Sequence, residues 1–160
     1  MKIGLALREL HRSENDLAHE LFQVSERHKV DHEIFYVARD LAVWSQDHVR
    51  KVAAIADSYG EKLDHEPEGE FGFMERVRDK GSELVGRART PDLLLLRDLR
   101  EIFMKAAGVS VDWELLAQAA QGIKHRDLLS VAEECHPDTL RQMRWANAQL
   151  KVQATQVLVS

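Results

Sequence analysis

Residues 61–70 read Glu61-Lys62-Leu63-Asp64-His65-Glu66-Pro67-Glu68-Gly69-Glu70. The stretch is acidic, carries proline and glycine, and has no apolar run. It therefore reads as a solvated loop that divides the chain into two helical halves. It opens a longer irregular region, residues 60–90, in which Phe71, Phe73, Met74, Val77, Leu84 and Val85 are spaced as a short helix lying across the rest. A connection of this length is uncommon in a compact domain. Its simplest use is a crossover that carries the chain from one end of a helical bundle to the other.

On the N-terminal side two long helices are expected. Leu7, Leu10, Leu17, Leu21 and Val24 recur at three- and four-residue steps and predict a helix over about residues 4–28. The phase breaks at His28-Lys29-Val30-Asp31, and Asp31 supplies an N-cap for a second helix, with Glu33 in its first turn. Ile34, Val37, Leu41, Trp44, Val52 and Ile55 carry that helix to about Ser58, and Tyr59-Gly60 ends it. So short a link makes the two helices antiparallel neighbours.

The C-terminal half repeats this architecture without repeating the sequence. Thr90-Pro91-Asp92 is a helix start, a cap followed by a proline whose missing N–H is lost without penalty. Leu95, Leu96, Leu99, Ile102, Phe103, Ala106, Trp113, Leu116 and Ala120 predict a third helix to about Gln121, stopped by Gly122. A short helix over about 126–135 is expected next. His136-Pro137-Asp138-Thr139 then starts the last long helix, with Leu140, Met143, Leu150, Ala154 and Val157 as its stripe. The fold expected is all-α: an antiparallel four-helix bundle of two hairpins joined by a long crossover, with short extra helices, in a single domain over 1–160.

Composition agrees. The 160 residues are 44% hydrophobic and 31% charged, as in a globular chain. The formal net charge of −5 argues against nucleic acid as a partner. The arginines and lysines of the crossover, Arg76, Arg78, Lys80, Arg87 and Arg89, alternate with Glu75, Asp79 and Glu83, as on a salt-bridged surface. The longest apolar run, Leu93 to Leu96, is far too short to span a bilayer, so no membrane is expected. One cysteine, Cys135, gives no disulfide framework. With no signal-peptide pattern at the N-terminus, the expected location is the cytoplasm.

In a bundle the informative residues are polar ones on apolar stripes, because an unpaired buried charge costs several kcal/mol. Glu14 falls between Leu10 and Leu17, and His48 between Trp44 and Val52. Antiparallel pairing about residue 30 brings them within a few ångströms along the bundle axis. Asn147 interrupts the last stripe, and Ser110 and Glu114 border the third. Glu133-Glu134-Cys135-His136 spells a Glu-x-x-His, but Pro137 pushes His136 out of helical geometry. His28 and His32 straddle a turn and read as exposed turn residues.

This arrangement resembles the ferritin-like superfamily. Di-iron members use a glutamate on each of two helices and a Glu-x-x-His on each of the other two. By that resemblance Glu14 matches the first glutamate and His48 the histidine of the second helix. Ser45 stands where the partner glutamate belongs and Asn147 where the last histidine belongs, with Glu114 or Asp98 left for the third helix. The resemblance implies a non-enzymatic bundle of interaction or structural type with a lost or degenerate metal site, working as a homo-oligomer or with a protein partner. A metal-binding or redox protein holding iron, manganese or zinc on Glu14, His48 and Glu114 is the alternative. A small-ligand sensor lined by Trp44, Trp113 and Trp145 is the third.

Overall fold

The computed structural model describes residues 1–69 and 91–160. Four long helices pack together: α1 (Ile3–Arg27), α2 (His32–Ala56), α3 (Pro91–Ile123) and α4 (Arg126–Val159). A single 3-10 turn, Asp57–Tyr59, follows α2, and Gly60 closes it in the left-handed region at φ 74°. Among the described residues there is no strand, and no helix is long and apolar enough to cross a membrane. The expected short helix over 71–85, the cap at Thr90 and the basic stretch 76–89 lie outside the described residues.

Local sequence sets the boundaries of the first hairpin. The Asp31 carboxylate accepts a hydrogen bond from the Ile34 amide at 3.2 Å, which satisfies one of the free donors at the start of α2. Leu7, Leu10, Leu17, Leu21 and Val24 of α1 are all fully buried, facing Ile34, Leu41 and Val52 of α2. From α3, Leu99, Ile102, Ala106, Trp113 and Leu116 complete the core. Burying side chains of this size stabilises by roughly 1.5–3 kcal/mol each.

Cross-helix bonds fix the directions. Ser25 on α1 reaches the Phe35 carbonyl on α2, and Glu14 meets His48, so α1 and α2 are antiparallel. Arg27 meets Asp98 and Glu14 meets Trp113, so α1 and α3 are antiparallel. Gln149 meets Glu33 and Lys51 meets Glu134, which makes α2 and α4 antiparallel as well. Hence α2 and α3 run in the same direction on opposite corners, and the end of one and the start of the other lie at opposite ends of the bundle. The described start of the connector follows this course. Arg8 bonds Glu61, His11 bonds the Asp64 carbonyl, and Asn15 accepts from the Glu68 amide. Residues 61–68 thus climb along α1, away from the end of α2.

Three expectations are corrected. The short helix over 126–135 does not end before Pro137: α4 is continuous from Arg126 to Val159 with Pro137 inside it. An interior proline costs about 3 kcal/mol. Here Leu128, Ala132, Cys135, Thr139 and Ala146 are buried on one face on both sides of it, and that packing holds the helix through. Gly122 does not stop α3, which runs to Ile123. Lys124 makes the turn instead, at φ 56°, while the next amide, of His125, bonds the Ala120 carbonyl at 2.9 Å. Finally, the innermost residues of α4 are not Leu140, Met143, Leu150, Ala154 and Val157, which are half-buried, but Leu128, Ala132, Cys135, Thr139, Gln142, Ala146 and Gln149. Large apolar residues mark the flank of α4 that also carries His136, bonded to Ser110 on α3. Small and amide side chains occupy the centre, where α4 faces α2.

That α2–α4 seam is polar. Gln142 donates to the Leu41 carbonyl and to Ser45 Oγ, both at 2.9 Å, and Gln149 donates to Glu33 at 2.7 Å. The two helices approach less closely than the other neighbouring pairs. Long amide side chains span that separation with their N–H groups, while Gln142 Oε1 is buried without a hydrogen-bond partner among the described residues.

Candidate functional site

Each helix contributes one residue to a buried polar cluster midway along the bundle. Glu14 sits on the inner stripe of α1 one turn from Leu10 and Leu17. His48 comes from α2, Trp113 from α3 and Asp138 from α4. Glu14 and His48 are both 0% exposed. Glu14 Oε1 faces His48 Nδ1 at 2.9 Å and accepts the Trp113 indole N–H, also at 2.9 Å. His48 Nε2 faces Asp138 Oδ2 at 3.0 Å. Asp138 is partly exposed, and its other oxygen accepts from Arg141 at 2.8 Å. The imidazole and indole rings meet edge-on, centroids 6.1 Å apart at 83°. Glu14 Oε2 is buried without a hydrogen-bond partner among the described residues.

The electrostatics follow from this geometry. Burial alone would drive the His48 imidazole to its neutral form. The hydrogen bond and charge of Glu14, and after them those of Asp138, outweigh burial and raise its pKa above the ordinary 6.5. A carboxylate faces each ring nitrogen, which favours the imidazolium, the form in which both nitrogens donate. From core to surface the charges then alternate: Glu14, His48, Asp138, Arg141. Charge-assisted hydrogen bonds of this kind are roughly twice as strong as neutral ones.

Cys135 lies one turn before Asp138 and is fully buried. Burial is the largest influence on its thiol. Lys51 opposes it, Glu14, Glu134 and Asp138 add to it, and the pKa moves well up. A thiol so held is not a nucleophile.

The other residues singled out in the sequence lie elsewhere. Glu114 is the neighbour of Trp113 and points the other way, exposed, 3.5 Å from His136 Nε2. It does not join Glu14 and His48. Asp98 is buried near the opposite end, bound by Arg27 at 2.6 Å and His28 at 2.7 Å. His28 is thus a half-buried partner and not an exposed turn residue: as C-cap of α1 it is aimed at the start of α3. His32 is exposed. Asn147, expected on the inner stripe, is exposed because the inner face of α4 lies to one side of it. Glu133 is exposed and makes no bond to His136. Trp113 is fully buried and Trp44 and Trp145 are partly so. None of the three lines the grooves at Arg27 and His28, at Arg8 and His11, or at Ser13 and Met104.

Asp138 and Gln142 were not anticipated. Their signal was present, because Cys135, Asp138, Thr139, Gln142, Ala146 and Gln149 keep helical spacing once the helix is allowed to pass through Pro137. Taking Pro137 as a start put Asp138 in a first turn, where an acidic residue needs no further explanation.

Among the described residues no three His, Cys, Asp or Glu side chains converge on a point that would hold a metal ion. The donor set agrees with that. An indole stands where α3 would supply a glutamate, and Ser45 stands one turn before His48 where α2 would supply another. The residues present do not fit a di-iron centre. No family model matches this chain, and no curated protein and no solved structure matches it either.

Proposed function

We propose that this chain is a ferritin-like four-helix bundle that acts as a non-enzymatic interaction or structural protein, with a chain of paired charges standing where a metal centre would be. The ferritin-like assignment is supported by two parallel helices, α2 and α3, whose connector starts back along α1. The reading of the interior is carried by one observation: both ring nitrogens of His48 are taken by carboxylates, Glu14 at 2.9 Å and Asp138 at 3.0 Å. A network so filled fixes the register of all four helices, since a slip of one turn would strand a buried charge. The thiol near it, Cys135, is fully buried with its pKa moved up.

The metal-binding or redox reading has one observation in its favour, the buried Glu14 Oε2 that lacks a hydrogen-bond partner among the described residues. Elemental analysis separates the two. Protein purified without added metal is expected to carry no stoichiometric iron, manganese or zinc. Stoichiometric metal that disappears in both Glu14→Ala and His48→Ala would overturn the charge-network reading.

A further inference from the structure

Beyond the exposed charges Asp92, Arg97 and Arg100, the outward face of α3 from Met104 onward is unlike an ordinary solvent-exposed helix. Met104, Val111 and Leu115 are 54%, 51% and 64% exposed. Among the described residues exposed between Met104 and Ile123, Glu114 alone is charged; the rest are Met104, Gly108, Val111, Leu115, Gln118, Gln121, Gly122 and Ile123. Contiguous exposed apolar surface of this kind marks an interaction site. A Cβ added to Gly108 would meet nothing within 4 Å, so the backbone there is open to close approach. Beside it lies a groove of about 300 Å³ between α1 and α3, lined by Ser13, Asp16, Met104, Lys105 and Asp112 among others.

Lys105 and Asp112 flank Gly108 on the α1 side of this face, two helical turns apart. Neither side chain forms a hydrogen bond or salt bridge with a described residue, and Lys105 acts on the half-buried Glu20 of α1 only through its charge. We propose that a second copy of this chain docks here, α3 against α3 and antiparallel, crossing at Gly108, so that Lys105 of each copy pairs with Asp112 of the other. This rests on the reading of the bundle as an interaction protein and names its partner.

The register is set by charge and shape together. An antiparallel twofold keeps each flank of one helix against the same flank of the other in reversed order, so opposite charges placed about a centre meet twice. With Gly108 at the centre, Met104 of one copy falls between Val111 and Leu115 of the other, a knob between two residues of one face. The absence of a side chain at Gly108 brings the backbones close at the crossing. The pairing also supplies the cation that Asp112 lacks in the single chain, where burial, then Glu9 and Glu14, raise its pKa. Glu114 sits on the opposite flank, clear of the paired charges.

Sedimentation velocity over a dilution series into the sub-millimolar range tests this, with circular dichroism to establish that each variant is folded. A monomer–dimer equilibrium is expected, and Met104→Glu and Val111→Glu abolish the dimer. Lys105→Asp and Asp112→Lys each weaken association by about tenfold or more, the effect of like charges facing across an interface, and the double reversal recovers it. A strictly monomeric protein overturns the proposal, as does a dimer indifferent to Met104→Glu or a double reversal that stays as weak as the singles. Each of these results differs from failure of the underlying reading, which is scored by metal content.

Discussion

Trp113 donates its indole N–H to the same oxygen of Glu14, Oε1, that faces His48, at 2.9 Å in both cases. One carboxylate oxygen therefore ties α1 to α3 and to α2, and His48 passes the tie on to α4 through Asp138. The interior of the bundle is held at this level by charge and geometry together, and apolar packing takes over above and below.

Removing one member of this chain strands the others. Glu14→Ala leaves a buried imidazolium with one carboxylate, and His48→Ala leaves a buried carboxylate with only an indole N–H. Breaking a buried ion pair in this way costs about 3–5 kcal/mol. Urea unfolding followed by tryptophan fluorescence is expected to show a loss of that size for each single variant. The double replacement Glu14→Leu/His48→Leu is expected to recover much of it, because no charge is then left unpaired.

Stability depends on pH through His48. Its folded pKa is raised above the 6.5 of the ordinary side chain, so the folded state binds the proton more tightly than the unfolded one. The stabilisation is therefore fully present below about pH 6.5 and is lost as the pH rises through the folded pKa. Urea midpoints measured upward from pH 6 are expected to fall, and the fall is absent in His48→Gln. A midpoint that rises over that range contradicts the charged form of His48.

Pro137 interrupts the hydrogen bonding of a helix that nevertheless continues. Pro137→Ala restores an amide donor for the Glu133 carbonyl and removes the ring clash, and is expected to stabilise by about 1–3 kcal/mol. Thermal melts of the two proteins measure it. A loss of stability would mean that the local geometry depends on the proline.

Cys135 is fully buried with its thiol pKa moved up, burial being the largest cause. In the native protein a thiol-specific disulfide reagent is expected to react only through unfolding, with a rate that follows urea concentration. A rapid native reaction would show an accessible thiolate at Cys135.

Near the other end of the bundle Asp98, almost fully buried, holds Arg27 and His28 together. Asp98→Ala strands Arg27, whose Nε is already buried without a partner among the described residues, and is expected to cost about 3–5 kcal/mol in urea unfolding. Asp98→Asn retains an acceptor and is expected to cost less.

Much of this was legible in the sequence. The stripe of α1 lies on its buried face, and those of α2 and α3 lie on it or on its flank, where Val37, Trp44, Ile55 and Phe103 are half-buried against the core. The Asp31 cap and the Gly60 stop follow from local backbone chemistry in the same way. The meeting of Glu14 and His48 was also legible, because a short turn between two antiparallel helices converts sequence separation into axial level.

The tertiary structure alone decided the rest. Local rules end a helix at Pro137, and only packing against α2 and α3 carries α4 through it. That continuity places Asp138 beside His48 and turns a Glu–His pair into a four-helix charge chain. It also rotates α4 so that Cys135, Thr139, Gln142 and Gln149 face inward and the leucines stand to one side. Periodicity in one helix reports where its large apolar residues lie. Which of its faces is central depends on the spacing and polarity of its neighbours, and the amide-spanned gap between α2 and α4 is a property of the assembled bundle.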